Sequence, residues 1–318
     1  MTEKIAFVAW NITKRSKVLA GYLNAKIITC KIASNRISKL FNYPFLIFLT
    51  FCNLIHQKVN IVIVQLPPFH ASIPGYLYCK LFRKKLIYDT HSGIFFPKGL
   101  HQRVYFSLYC SMTRNTKLNI VHNEAILNRT CLKNTSSIVL ECKIPFQPSG
   151  NIQHTRFIVA VICSYDKDEP IEQIIVATRL VTDIEFYLTG NSNKLKNLTL
   201  PKNVNLTGYL SDQDYEHFLR TVDIIMVLTT RPDTVLSGAY EAVGLEKPLI
   251  TSDTQTLRKY FYKGSIFTSN DAKSITEAIA KARQNLDKLR VEMAELRKEK
   301  EQTWQKQFEP LQKIIRET

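Results

Sequence analysis

Short apolar runs recur along the chain at intervals that leave room for a helix between them. In the first half, Ile5 to Trp10, Lys26 to Lys31, Ile61 to Gln65, Leu86 to Asp89, Leu118 to Val121 and Ile138 to Leu140 read as strands. In the second, Arg156 to Ser164, Ile184 to Leu188, Val204 to Leu206, Ile224 to Thr229, Leu249 to Thr251 and Ser265 to Thr268 do the same. Most of these runs are continuous rather than alternating, as expected for strands buried on both faces of a parallel sheet. Strands separated by helix-length segments imply right-handed βαβ units. The segment Lys143 to Asn151, with two prolines and a glycine, reads as a linker. The pattern therefore predicts an α/β protein of two Rossmann-like, doubly wound parallel-sheet domains, residues 1–147 and 152–302, with a cleft between them. From Asp271 to about Gln302 the pattern is helical and densely charged, and Trp304 to Arg316 is amphipathic.

One stretch concentrates the chemistry. Asp223 to Asp253 reads as strand, loop, helix and strand, broken at Arg231, Pro232 and Asp233, with Thr234 or Ser237 as the helix cap and Pro248 opening the next strand. Backbone N–H groups near Ser237 and Gly238 then point out of the carboxyl end of a sheet, where a helix N-terminus attracts phosphate. Asp233 and Glu241 stand eight positions apart, so both carboxylates can face one crevice. Ionised carboxylates accept the hydrogen bonds that sugar and ribose hydroxyls donate. Read alone, they are also a surface acid and an acid complementing the helix dipole.

This stretch resembles the donor-binding motif of GT-B glycosyltransferases, and of glycosyltransferase family 4 in particular, where two acids separated by seven residues precede a Gly-Lys-Pro strand start. Here the first acid is Asp233 rather than Glu, and Glu246-Lys247-Pro248 replaces Gly-Lys-Pro. The resemblance implies a nucleotide-diphosphate sugar donor, Glu241 on the ribose hydroxyls, Asp233 on the sugar, and retention at the anomeric carbon. It also implies that a terminal helix, 303–318, crosses back to the N-terminal domain through Trp304, Phe308, Leu311 and Ile315; packing on its own domain is the ordinary alternative.

Other positions fit the resemblance unevenly. Tyr88-Asp89-Thr90-His91-Ser92-Gly93 ends the fourth strand, and His91 resembles the family's histidine that approaches the donor sugar. Asp89 is either a base for an acceptor hydroxyl, which keeps inversion open, or a structural acid that orients His91. The first strand is followed by Asn11 to Ser16, without the family's glycine-rich turn; Arg15 and Ser16 can reach a diphosphate as side-chain donors instead. After the seventh strand Lys167 alone stands where the family carries an Arg and a Lys. Gly190 and Thr207-Gly208 close strands as the loops around the nucleotide base do. Asp166-x-Asp168 and Asp212-x-Asp214 precede helical runs and read as helix caps, so no metal and no cofactor is called for.

Charge divides the chain in two. Residues 1–150 hold 20 Lys and Arg against Glu3, Asp89, Glu124 and Glu141, whereas residues 151–318 hold 23 of each sign. The first domain is thus the one to meet an anionic surface. Basic and aromatic residues alternate from Tyr76 and Tyr78 through Phe82, Arg83, Lys84 and Lys85, and again from Phe95 and Phe96 through Arg103, Tyr105 and Phe106. Seven scattered cysteines without a Cys-x-x-Cys pair read as reduced thiols. The N-terminus reads as a first strand rather than a signal peptide. The apolar stretch Phe41 to Ile55 is too short and too interrupted to span a bilayer. The reading is a cytoplasmic glycosyltransferase, peripheral at the inner face of the membrane, acting on a glycan or lipid-linked acceptor in cell-surface polysaccharide synthesis. A nucleotide-sugar epimerase of the same fold is an alternative. A nucleic-acid-binding protein is another, opposed by the absence of a zinc finger, a helix-turn-helix or an RNP-type motif.

Overall fold

A computed structural model describes residues 4–30, 36–97, 99–129, 131–148, 156–191, 195 and 199–316. The chain divides into two compact units, Met1–Lys143 with Thr303–Thr318, and Ile144–Gln302. The boundary falls earlier than the proline pattern placed it. Ile144 and Phe146 are buried, and both lie against Gly244, where a Cβ would come within 3.1 Å of them. Bare backbone at Gly244 thus draws the start of the expected linker into the second unit.

The first unit is built on a parallel sheet of β1 (Ile5–Val8), β2 (Lys26–Ile28), β3 (Ile61–Leu66), β4 (Lys85–Thr90), β5 (Leu118–Val121) and β6 (Ser137–Val139), in the order β2-β1-β3-β4-β5-β6. Alternate residues of each strand enter different cores. Val62, Val64 and Tyr88 join one cluster; Ile61, Ile63 and Ile87 join the other. That is why the strands read as unbroken apolar runs. The connecting helices are α1 (Lys14–Tyr22), α2 (Arg36–Gln57), α3 (Ser72–Phe82), α4 (Leu100–Thr113) and the short α5 (Glu124–Leu127). The stretch from Phe41 to Ile55 thus lies inside one 22-residue helix that includes Pro44. Among the described residues no helix is long and apolar enough to cross a membrane.

The second unit repeats the plan with β7 (Phe157–Val161), β8 (Ile184–Thr189), β9 (Val204–Gly208), β10 (Ile224–Val227), β11 (Leu249–Ser252) and β12 (Ser265–Thr268), all parallel, in the order β12-β11-β10-β7-β8-β9. Its helices are α6 (Ile171–Arg179), α7 (Asp212–Thr221), α8 (Ser237–Gly244), α9 (Gln255–Tyr260) and α10 (Ala272–Gln284). The last helix, α11 (Leu286–Arg316), is continuous through Pro310. Its final turns belong to the first unit, where Trp304, Phe308, Leu311 and Ile315 share a core with Ile5, Phe7, Ile61 and Leu118. Trp304 stacks on Phe308 at 4.7 Å and meets the edge of Tyr22 at 5.1 Å. Lys85 Nζ donates to the Ile314 carbonyl at 3.1 Å, a cation at the negative end of the helix.

Each sheet reverses its winding once, between β1 and β3 and between β7 and β10. Crevices beyond the carboxyl ends of strands at such points are where doubly wound folds take ligands.

Candidate active site

In the first unit, polar side chains collect beyond the carboxyl ends of β1, β4 and β5. Thr90 pairs with Val121 across β4 and β5, so the next residues of each strand, His91 and His122, emerge side by side. Their rings lie 4.1 Å apart. Asp89 is 0% exposed beneath them, with His91 Nε2 at 3.7 Å and His122 Nε2 at 3.9 Å from its oxygens. Both Nε2 atoms are buried and make no hydrogen bond. His122 escaped the sequence reading. The signal was there: each strand is followed directly by a histidine, and in-register parallel pairing brings the two together.

Arg15, from the first turn of α1, closes the cluster from below. Its Nε and Nη2 donate to the Asp89 carboxylate at 2.9–3.1 Å, and its Nη1 donates to the Glu141 carbonyl at 2.8 Å. Burial alone would raise the Asp89 pKa, but Arg15, then His91 and His122, override it and hold the carboxyl well below the usual range. Burial, with the charges of Arg15 and His91, pushes the His122 imidazole well below its ordinary value against the pull of Asp89.

Two expectations are corrected here. Arg15 does not offer its guanidinium to a diphosphate, because it is buried and its donors point inward to Asp89 and Glu141. Ser16 is likewise sealed: its Oγ donates to the Thr13 carbonyl and accepts from the Thr13 N–H, both at 2.8 Å, in a capping box that starts α1. The glycine-free loop before them is pinned to β3, where Gln65 accepts from Thr13 Oγ1 and donates to the Asn11 carbonyl. Asp89 is enclosed and both its oxygens accept from Arg15, which opposes its use as a base for an acceptor hydroxyl. Gly93 lies in a 3-10 turn, Ser92–Phe95.

Asp89, His91 and His122 also present donor atoms within 4.8 Å of one another, a spacing that can ligate a metal ion. Against that reading, both Asp89 oxygens already accept from Arg15, whose fixed charge opposes a second cation.

In the second unit the loop between β10 and α8 is knitted to its neighbours. Thr229 donates its N–H to Ser252 Oγ at 2.8 Å and its hydroxyl to Asp168 at 3.0 Å. Thr230 N–H donates to the Asp168 carbonyl at 2.7 Å, and Arg231 Nη2 lies 2.6 Å from the Asp168 carboxylate. Asp168 is therefore a tether between the loops after β7 and β10, not a helix cap. The cap position of α6 is Pro170, and that of α7 is Ser211, which accepts from Asp214 N–H at 3.1 Å. Asp166 N–H donates to the Glu169 carboxylate.

Past this tether, Asp233 is half-buried and Thr234 buried, its hydroxyl oxygen without a hydrogen-bond partner. Neither Thr234 nor Ser237 caps α8: the cap position is Leu236, and no side chain fills it. Ser237 is exposed at the first helical position, and Gly238 behind it is buried, where a Cβ would come 3.0 Å from the Ile162 side chain. One turn in, Glu241 is buried and accepts from Tyr215 Oη of α7 at 2.6 Å. Burial, then the Glu241 charge, pushes the Tyr215 phenol up, so the tyrosine stays a donor. Tyr215 was not singled out in the sequence, where it is one aromatic within a charged helical run.

Beyond the end of β7, Tyr165, Lys167, Glu169, Glu172 and Leu195 line an open depression of about 440 Å³. Lys167 is exposed on its rim. Gly190 has φ +91°, and a Cβ there would collide with the Cys163 carbonyl oxygen and press the Tyr165 ring.

Residues 145–300 match the model of the family described as glycosyl transferases group 1. No curated protein sequence matches the chain. Among solved structures it is similar to sucrose-phosphate synthase from Thermosynechococcus elongatus, at 13% identity and a TM-score of 0.79, covering 99% of this chain and 98% of that one. It is also similar to Anabaena HepE in complex with UDP-glucose, at 13% identity, a TM-score of 0.74 and coverage of 98% and 99%. A glycosyltransferase from Rickettsia africae aligns at 14% identity, a TM-score of 0.67 and coverage of 99% and 98%. At these identities the structural likeness establishes the fold, which is GT-B.

Proposed function

Starting from a GT-B chain that resembles the group 1 glycosyltransferases through its second domain, we propose that it transfers a hexose from a nucleoside-diphosphate sugar to a lipid-linked glycan in cell-surface polysaccharide synthesis. The observation that carries this reading is Glu241: a buried carboxylate, oriented by Tyr215, inside a helix whose N-terminus no side chain caps. Such a carboxylate accepts from the ribose hydroxyls, while free N–H groups at a helix start take phosphate. In this account Glu241 binds the ribose, the N–H groups of Ser237 and Gly238 hold the diphosphate, and the unpartnered Thr234 hydroxyl donates to a phosphate oxygen. Lys167 supplies positive charge, Gly190 keeps the adjoining loop close, and Asp233 takes a sugar hydroxyl. His91 meets the transferring sugar, with Asp89 and His122 as positioning residues.

In this account the reaction proceeds with retention, a reading supported by the enclosure of Asp89, the acid weighed as an inverting base, and its pairing with Arg15. The protein works without a metal or a further cofactor, as a peripheral protein at the cytoplasmic face of a membrane. The test is transfer itself. Labelled UDP-glucose is the first donor to offer, since HepE is solved with it, together with a bacterial lipid extract as acceptor. Label entering the organic phase only when enzyme, donor and extract are combined is the expected result. Donor consumed without acceptor, or no turnover with any common nucleotide sugar, would overturn the proposal.

A further inference from the structure

We infer that the outward faces of α2 and α3 form a docking surface for an anionic phospholipid bilayer. This rests on the membrane-borne acceptor proposed above and names the surface that reaches it. α2 is apolar on two sides. On one side Leu46 and Leu54 are buried in the core, and Phe51 meets the edge of Tyr78 of α3 at 6.5 Å. On the other, Phe45, Phe48, Leu49 and Ile55 follow helical spacing and stand in solvent, Phe45 at 58% and Phe48 at 65% exposure. α3, packed alongside, adds Leu77 at 49% and Leu81 at 67%. A helix that only covers a core needs one apolar stripe, and a second stripe of large side chains marks a surface meant to be covered.

Charge identifies the cover. From residue 4 to residue 88 the sequence contains no Asp or Glu. Lys58, Lys80 and Arg83 are exposed on or beside the same two helices. Exposed apolar side chains with cations on the same helices match the boundary between acyl chains and anionic headgroups. A second copy of the same face would bring like charges together, and a nucleic acid would leave the phenylalanines in water. Of the basic-aromatic series read from the sequence, Phe82 and Arg83 are exposed at the end of α3, but most of its aromatic rings are turned inward. Tyr78 and Phe95 are buried, and Tyr76, Phe96, Tyr105 and Phe106 pack half-buried against the core.

Co-sedimentation of the purified protein with vesicles of phosphatidylcholine, with and without phosphatidylglycerol, tests the inference. The protein should bind the mixed vesicles, bind pure phosphatidylcholine far more weakly, and release from the mixed vesicles in high salt. Replacing Phe48 and Leu81 together by Ser should weaken binding by about tenfold or more. Both positions are exposed, so a thermal melt of the variant should match the parent. Stabilisation by UDP, measured on the same preparations, reports on the donor site independently, so failure of the transferase reading is distinguishable from failure of this one. Absence of binding to the mixed vesicles, or equal binding by the double variant, would overturn the assignment. So would a dimer in light scattering that the two substitutions dissolve, which would give the face to a second copy.

Discussion

Arg15 and Asp89, 74 residues apart in sequence, form a two-pronged ion pair that seals the floor of the histidine pair. Removing one partner strands the other as a buried, unpaired charge, which costs about 3–5 kcal/mol. Asp89→Ala should therefore lose that much stability in urea titration. The double variant Arg15→Met with Asp89→Leu should lose distinctly less. Equal losses would show that the pair is not the reason for the cost.

His122 gives the fold a pH dependence of known sign. Its folded pKa lies well below the ordinary 6.5 because burial and Arg15 disfavour the imidazolium. Below pH 6.5 the unfolded chain therefore binds a proton that the folded chain refuses, and stability falls as pH falls. His122→Asn should flatten this slope. Urea midpoints at successive pH values between 7 and 5, about the range over which histidine titrates, make the measurement. An unchanged slope in the variant would remove His122 from the account.

Most of the architecture was legible because most strands are short apolar runs followed by a helix; every segment read as a strand carries one in the fold. Asp233 and Glu241 stood out for a similar reason, as two acids at fixed spacing in a local strand-loop-helix unit. What was not legible is which polar groups are already spent. Arg15 and Ser16 look like free donors in the sequence, yet one is consumed by Asp89, which only the winding of β1 beside β3 and β4 brings near, and the other by its own helix cap. Tyr215 and His122 were passed over because their partners lie 26 and 33 positions away and meet them only through tertiary packing.

Lys247, in the Glu-Lys-Pro triplet, has its pKa pushed down to about 8 by burial and then by Arg290, against the pull of Asp223. Between pH 8 and the ordinary 10.5 the unfolded chain holds more protons than the folded chain, so stability rises with pH through that window. At neutral pH the penalty is fully present. Lys247→Met should raise stability there by about 1–3 kcal/mol, with the gain shrinking above pH 8. A gain independent of pH would point to packing instead of charge.

Gly190 and Gly208 both have positive φ, +91° and +66°, but only Gly190 has backbone against the missing Cβ. Gly208→Ala should cost about 1 kcal/mol from backbone strain alone. Gly190→Ala adds the collision with Cys163 and should cost roughly 2–4 kcal/mol, read from melting temperatures. Equal effects would mean that the loop after β7 yields.

The central claim is that Glu241 grips the donor, and thermal stabilisation by UDP and UDP-glucose, measured on the parent and on Glu241→Gln, tests it most directly. A ligand at 100 times its dissociation constant should stabilise the parent by about 2.7 kcal/mol. The glutamine keeps the size but loses the charged acceptor, which is worth about 1.5–3 kcal/mol, so the variant should need at least tenfold more ligand for the same shift. A parent that responds and a variant that responds identically would contradict the assignment of this carboxylate.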